Sequence, residues 1–269
     1  MVNVENITVV IPSWNEKENF DEGVQTVGKV LNEVIDNFDV QEYICVIWPQ
    51  VRVGKKTITA MIDTLCGNER NGVAGCRANG QVYEQDANIR SYGDLLEIEN
   101  TSMEDNDFEV VGTEGLCYCF NTKIINSVGK FDENLAYTDI MVDFQLRTLL
   151  AGYRNMISRN SYVYETETKK ESAGWINQLC VADRRYLRKK WNTNYFMLAA
   201  NNKFNLLIDR ASEEKFSVLE VGCDMGANLL GIKNAHPNCK IYGLEINKSS
   251  VNVGKHVADI CYGNIEEEN

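Results

Sequence analysis

Two groups of residues carry side chains that could do chemistry. In the first, the carboxylates Asp132, Glu133, Asp139 and Asp143 lie close together in sequence, and Arg147 follows Asp143 by one helical turn. Carboxylates so grouped can accept a proton from a hydroxyl, and the guanidinium can neutralise one of them or an anionic ligand. In the second, Glu220 and the loop Gly222-Cys223-Asp224-Met225-Gly226 precede Glu245 and, further on, Asn264. A glycine loop that follows an apolar strand and opens a helix, with an acid ending the next strand, is a nucleotide-binding arrangement. Gly222 and Gly226 would let the backbone approach a ligand without a Cβ clash, and Glu245 could accept from both ribose hydroxyls.

The elements that must position these groups follow from the hydrophobic pattern. Ile7 to Pro12 and Tyr43 to Ile47 are continuous apolar runs, the pattern of strands buried on both faces. A helix is expected over about 22–35, and another over 56–65, where Ile58, Met61, Ile62 and Leu65 recur at helical spacing. Val73 to Cys76 reads as a short strand and 81–107 as a polar, irregular excursion. Strand returns over 108–120, interrupted by Gly112 and Gly115; short and long helices follow over 123–128 and 140–150, and a last strand over 161–165. Composition then shifts to a helical stretch rich in Arg184, Arg185, Arg188, Lys189 and Lys190, and a second α/β unit begins near Phe216. The division expected is 1–170, a basic connector over 171–205, and 206–269.

A formal net charge of -12, from 39 acidic and 27 basic residues, gives no basic face for bulk nucleic acid. The nine cysteines are odd in number and mostly embedded in apolar runs, which suggests reduced thiols and a cytoplasmic location. Cys117 and Cys119 fall on one strand face, without a second pair to complete a zinc set. The N-terminus lacks the pattern of a signal peptide, and no run is long enough to span a membrane, so membrane contact would be peripheral. The basic cluster RRYLRKKW could hold an anionic lipid-linked acceptor, or be the solvated face of a connecting helix.

The order of elements, with Gly115, GKFDENL at 129–135 and DFQLRTLLAGYR at 143–154, resembles the family 2 glycosyltransferases over about residues 5–168. The resemblance implies an α/β fold of the A-type nucleotide-diphospho-sugar class: a mixed, mainly parallel sheet with helices on both faces. It implies a nucleotide-sugar donor, a glycan acceptor, and a bacterial setting in surface polysaccharide or glycoconjugate assembly. Asp132, Glu133, Gly115, Arg147 and Gln50 fall at substrate-binding positions, Asp143 on the second acid of the family's acidic pair, and Asp139 two residues before its base position. That base position is Met141, a thioether that cannot accept a proton at neutral pH. Trp48-Pro49-Gln50 replaces the aspartate motif that binds metal, so tight binding of magnesium or manganese is not expected. Glu165 falls near a histidine found in some relatives. Three departures together imply a degenerate or non-catalytic domain. For the opening VVIPSWNE two alignments stand: the family's first strand, or a later segment with the earlier nucleotide-binding strands missing.

Residues 216–264 look like the start of a class I S-adenosylmethionine-dependent methyltransferase, on the glycine loop, GLE at 243–245 and YGN at 262–264. This implies Glu220, Gly222, Gly226, Glu245 and Asn264 as a partial cofactor site. Half a doubly wound sheet is expected to leave its core uncovered, so methyl transfer would need completion by another chain.

Overall fold

The computed structural model describes residues 6–12, 26–81, 85–101, 106–113, 116–166, 170–194, 196–201 and 203–267. The elements of the first part, in chain order, are β1 (Ile7–Val10), α1 (Val27–Asn37), β2 (Tyr43–Ile47), β3 (Val51–Val53), α2 (Thr57–Cys66), β4 (Asn71–Ala78), α3 (Tyr92–Thr101), β5 (Phe108–Val110), β6 (Cys117–Asn121), α4 (Ile125–Val128), α5 (Ile140–Leu150) and β7 (Arg154–Glu165). The strands form one mixed sheet in the order β1-β2-β6-β4-β7-β3, with β5 on β7. β1 runs parallel to β2 and β4 parallel to β7, while β6 is inserted antiparallel between β2 and β4. β1, β2, β4 and β7 therefore run one way, the mixed α/β class expected.

Strand alternation divides the core. On β2, Ile44, Val46 and Trp48 just beyond face α1 and α5, whereas Tyr43, Cys45 and Ile47 face Met61, Ile62 and Leu65 of α2. Both faces of β2 are covered, so it tolerates no polar row, and a continuous apolar run is the sequence signature that results; β1, at the sheet edge, leaves Val9 exposed. α1 begins at Thr26, whose hydroxyl accepts the Lys29 N–H as an N-cap. α5 is buried nearly all round, which explains why its apolar residues show little one-sided periodicity.

Three expectations need correction. The stretch 81–107 is not irregular throughout: it holds α3, whose Leu95 packs on Ile89 and Tyr162 while Glu99 accepts the Lys55 and Lys56 N–H groups. Four acidic residues in 94–104 masked the weak apolar stripe. The cysteines are not all reduced, because Cys45 and Cys119 are disulfide-bonded. The register of β2 against β6 sets these two directly opposite each other on the α2 face, which spacing alone does not reveal. The strand expected over 108–120 is two strands, β5 and β6, that pair with different neighbours.

The chain continues through α6 (Lys170–Lys190) to a second sheet of β8 (Ser217–Val221), β9 (Lys240–Glu245) and β10 (Asp259–Tyr262), parallel and in the order β10-β9-β8. α7 (Ala227–Ala235) and α8 (Lys248–Gly254) connect the strands. One face of this half-sheet is buried, where Ile260, Val218 and Ile241 pack with Leu229 of α7, and the helices in turn meet the first part: Ala227, Leu230 and Val253 join the cluster that contains Phe144 and Leu149. Asn234 fixes the contact by exchanging hydrogen bonds with the backbone of Glu109 at 2.8 and 3.3 Å. The opposite face leaves Leu219, Val221 and Tyr242 exposed.

Candidate functional site

The segment 129–143 leads from α4 into α5 and carries the first group of carboxylates against the C-terminal half of α6. Its position depends on α1: Asn32 donates to the Phe131 carbonyl and accepts the Phe131 N–H, and Thr26 donates to the Glu133 carbonyl. Glu133 turns toward Asn32, at 3.0 Å, and so away from the other acids.

Asp143 is fully buried on α5 and satisfied by three donors: Arg147 Nε at 2.8 Å, Lys190 Nζ at 2.7 Å and Trp191 Nε1 at 3.0 Å. Lys190 also reaches Asp132 at 2.6 Å, and so bridges the two acids. Asp132 additionally accepts from Tyr186 and from the Asn134 N–H, an Asx turn that starts the next bend. Burial pushes the Asp132 carboxyl up, but the Lys190 ammonium and the hydrogen bonds of Asn134 and Tyr186 outweigh it and hold the group well below the usual carboxylate range. The same pairing raises Lys190 against the opposing effect of burial. Asp139 is gripped by both arms of Arg184, at 2.8 and 2.7 Å. Asp183 accepts the Ala136 and Tyr137 N–H groups, and burial raises its carboxyl despite them.

The structure thus brings Asp132 and Asp143 together and places Asp139 beside them, each already paired within the chain. Met141 is buried in the core. Arg147 Nη1 donates to the Val128 and Gly129 carbonyls, while Nη2 is buried with no hydrogen-bond partner among the described residues. Gly115 lies outside the described residues. Gln145 holds the segment that follows β5, accepting the Thr113 N–H at 2.6 Å and donating to the Thr113 hydroxyl at 2.7 Å.

At the end of β2, Trp48 is buried and packs on Tyr137 with ring centroids 4.8 Å apart. Burial, then the neighbouring Cys180, push the Tyr137 hydroxyl up to about 12 against a hydrogen bond with Gln50. The Gln50 carbonyl accepts from the Thr166 N–H and hydroxyl, and Glu165 exchanges hydrogen bonds with Asn79, so the strand ends are knitted to each other. Among the described residues no group of three or more histidines, cysteines and acids could hold a metal ion. Tryptophan, proline and glutamine at 48–50 do not fit a divalent cation.

The sequence missed Lys190, Arg184, Tyr186 and Trp191 as partners of the acids. Their signal was the basic run itself, with Asp183 at its start and Trp191 at its end. Arg185, Arg188 and Lys189 are exposed, so part of the run is the solvated face expected of a connecting helix.

The glycine loop lies between β8 and α7. Gly222 has φ +74, and a Cβ there would meet nothing within 4 Å, as suits a backbone open to a ligand. Gly226 differs: its φ is +88, but a Cβ would collide with Ile260 at 2.9 Å, so this glycine permits packing on β10 rather than ligand approach. Glu245 accepts the Asp224 and Asn247 N–H groups at 2.8 and 2.7 Å, one at each oxygen, and a carboxylate retains acceptor sites beyond two such bonds. Asn264 sits beside it, since the Gly263 N–H donates to the Glu245 carbonyl, and caps its own turn through Glu266. Asp224, which the sequence did not single out, accepts from Met197 N–H and the Ser250 hydroxyl and ties the connector to the loop. Gly222, Glu245 and Asn264 thus lie together at one end of the second sheet, while Gly226 packs against Ile260.

Glu220 accepts from Asn228 at 2.7 Å, and its second oxygen is buried with no hydrogen-bond partner among the described residues. Burial raises its carboxyl, opposed by Asn228 and reinforced by Asp224 and Glu245. The folded state therefore disfavours the ionised form, and stability contributed by the protonated acid is lost as pH rises from the ordinary glutamate value through the raised folded one. Glu220→Gln is expected to raise the unfolding free energy from urea denaturation at pH 8, by roughly 0.5 kcal/mol because partial exposure screens the effect, and to leave it unchanged near pH 3. An equal change at both pH values would show that the charge is not responsible.

No protein-family model matches the chain, and no curated protein matches it. Among solved structures, GalNAc-T7 with UDP, GalNAc and Mn2+ aligns at a TM-score of 0.43 and 7% identity, covering 56% of this chain and 32% of that one. S. aureus TarS aligns at 0.32 and 14%, covering 52% and 24%, and TarS 1-349 in complex with UDP at 0.29 and 16%, covering 58% and 43%. The chain spans less than half the length of each of these three structures.

Proposed function

We propose that residues 1–170 form a glycosyltransferase-like domain that binds a nucleotide sugar without transferring it, in surface polysaccharide or glycoconjugate assembly. The observation that carries this reading is the burial and pairing of Asp143: an acid with no exposed surface, held by Arg147, Lys190 and Trp191, is closed off from an acceptor hydroxyl. Met141 at the base position and the Trp48-Pro49-Gln50 turn support it. The retained pattern over 111–164 supports donor binding rather than an unrelated role.

The test is a melting-shift screen with uridine and thymidine diphosphate sugars, with and without manganese, followed by product analysis. A ligand at about ten times its Kd adds about 1.4 kcal/mol to stability. A shift independent of manganese, with no transfer product, is expected. Metal-dependent turnover abolished by Asp143→Asn would overturn the reading in favour of an active transferase.

A second reading applies to residues 206–269: a partial S-adenosylmethionine site completed by another chain. The convergence of Gly222, Glu245 and Asn264 favours it. When bound, the cofactor supplies an electrophilic methyl group; Glu245 would hold its ribose and Asn264 its adenine. Calorimetric titration with S-adenosylmethionine showing no heat at millimolar ligand removes this reading.

A further inference from the structure

Four cysteines of the first sheet gather on one face, and neither reading above uses them. The register of β2 on β6 sets Cys45 opposite Cys119, and these two are bonded. Strand alternation puts Cys117 on the same face of β6 as Cys119. On the other side of β6, β4 pairs Val73 with Phe120, Ala74 with Cys119 and Gly75 with Tyr118, so the next step along that register brings Cys76 to Cys117. The two thiols hydrogen-bond to each other. All four residues are at most 1% exposed and lie in the apolar cluster that holds Met61 and Ile62 of α2.

Opposed positions on antiparallel strands lie about 4.5–5.5 Å apart at Cα, inside the roughly 4.4–6.8 Å that a disulfide spans. Of the other free cysteines, Cys66 ends α2, Cys180 lies on α6, and Cys223, Cys239 and Cys261 belong to the second sheet and its loops, where no register sets one opposite another. We propose that Cys76 and Cys117 form a second disulfide by reaction with a small-molecule disulfide of the glutathione type, so that β6 is stapled to β4 as well as to β2. The Cys117 thiolate attacks one sulfur of the small disulfide and releases one thiolate; the Cys76 thiolate then attacks the Cys117 sulfur of the mixed disulfide and releases the other. The protein dithiol is oxidised, the small disulfide is reduced, and the two thiol protons pass to the two departing thiolates. In the closed fold the hydrogen bond to Cys76, then burial, push the Cys117 thiol well above its ordinary value, whereas the attacking species is a thiolate. The exchange therefore belongs to the assembly of the sheet, before α2 covers it, and the same burial then shields the finished bond from reductants. Cys117 opens β6 next to Leu116, whose carbonyl accepts the Trp48 N–H, so the second bond fixes the end of the sheet from which the Trp48-Pro49-Gln50 turn departs.

Oxidative refolding of the full chain tests the proposal. The chain is unfolded and reduced, refolded in a mixture of reduced and oxidised glutathione, quenched with iodoacetamide, and digested with trypsin and then chymotrypsin, which cuts after Tyr118 and so separates Cys117 from Cys119. Mass spectrometry is expected to find the Cys76 peptide joined to the Cys117 peptide alongside Cys45 joined to Cys119, while Cys66, Cys180, Cys223, Cys239 and Cys261 join no other cysteine of the chain. The thermal midpoint of this doubly bonded form is expected to exceed that of Cys76→Ala refolded in the same way by at least about 5 °C, because a second loop is closed in the unfolded chain. The gap is expected to shrink to about 2 °C or less once both proteins are fully reduced, which separates the bond from the packing lost with the Cys76 sulfur. Should Cys76→Ala fail to fold, the peptide map of the unaltered chain decides alone. Alkylated Cys76 and Cys117 beside an intact Cys45–Cys119 bond, either of them joined to a different cysteine, or a midpoint gap that is the same in the oxidised and reduced forms would each overturn it.

Discussion

Asp143→Ala is expected to lower the unfolding free energy by about 3–5 kcal/mol, the range for removing one partner of a buried ion pair. The alanine leaves a cavity on α5 and strips three donors at once. Trp191 Nε1 loses its acceptor, Arg147 keeps only the Val128 and Gly129 carbonyls, and Lys190 keeps only Asp132. Asp132→Ala removes a less buried acid from the same bridge and should cost less, about 1–2 kcal/mol. The two effects will not add, because both acids share Lys190, and a double-mutant cycle should give a coupling of about 0.5–3 kcal/mol. Urea unfolding at pH 7 measures all of these. The outcome separates structure from catalysis: a catalytic acid can be removed with little loss of stability, whereas the clamp cannot. A change below about 0.5 kcal/mol for Asp143→Ala would show that α6 does not hold the site as the distances imply.

What the sequence could say about this arrangement was set by how local each feature is. The apolar face of α2 and the pairing of Asp143 with Arg147 depend on residues within one or two turns, and helical spacing reveals them. The disulfide between Cys45 and Cys119 depends on the register of two strands 74 residues apart, for which there is no local signal. The clamp on Asp143 joins positions 48 residues apart in the same way. The basic run on α6 was visible, but a linear reading cannot sort its cations by face when the helix axis is unknown; the structure turns Arg184 and Lys190 inward and Arg185 and Lys189 outward. Gly226 failed for a similar reason. A glycine in a nucleotide loop serves either a ligand or a packed neighbour, and only the position of Ile260 decides.

Gly28 extends that lesson to stability and gives the sharpest test of how the carboxylate segment is positioned. Glycine within α1 should be a weakness, and alanine there should gain about 1 kcal/mol of helix propensity. The first turn of α1 lies directly against the backbone of 131–136: Val27 N–H donates to the Ala136 carbonyl, Gly28 N–H to Leu135, and the Thr26 hydroxyl to Glu133. A Cβ at Gly28 would fall far inside van der Waals contact of the Asp132 carbonyl oxygen and within 3.1 Å of the Glu133 Cα, both backbone atoms that no rotamer change can move aside. Helix and segment must then separate, loosening the Asn32 bonds to Phe131 and drawing Asp132 away from Lys190. Gly28→Ala is therefore expected to destabilise by about 2–4 kcal/mol net, overpacking exceeding the propensity gain. Gly93 is the internal control. It lies in the first turn of α3, where a Cβ would meet only the Ser91 hydroxyl at 3.4 Å, so Gly93→Ala should stabilise by about 0.5–1 kcal/mol. Thermal and urea unfolding of the two variants should move in opposite directions; if Gly28→Ala stabilises as Gly93→Ala does, α1 does not fix the 131–136 segment, and the site is held from α6 alone.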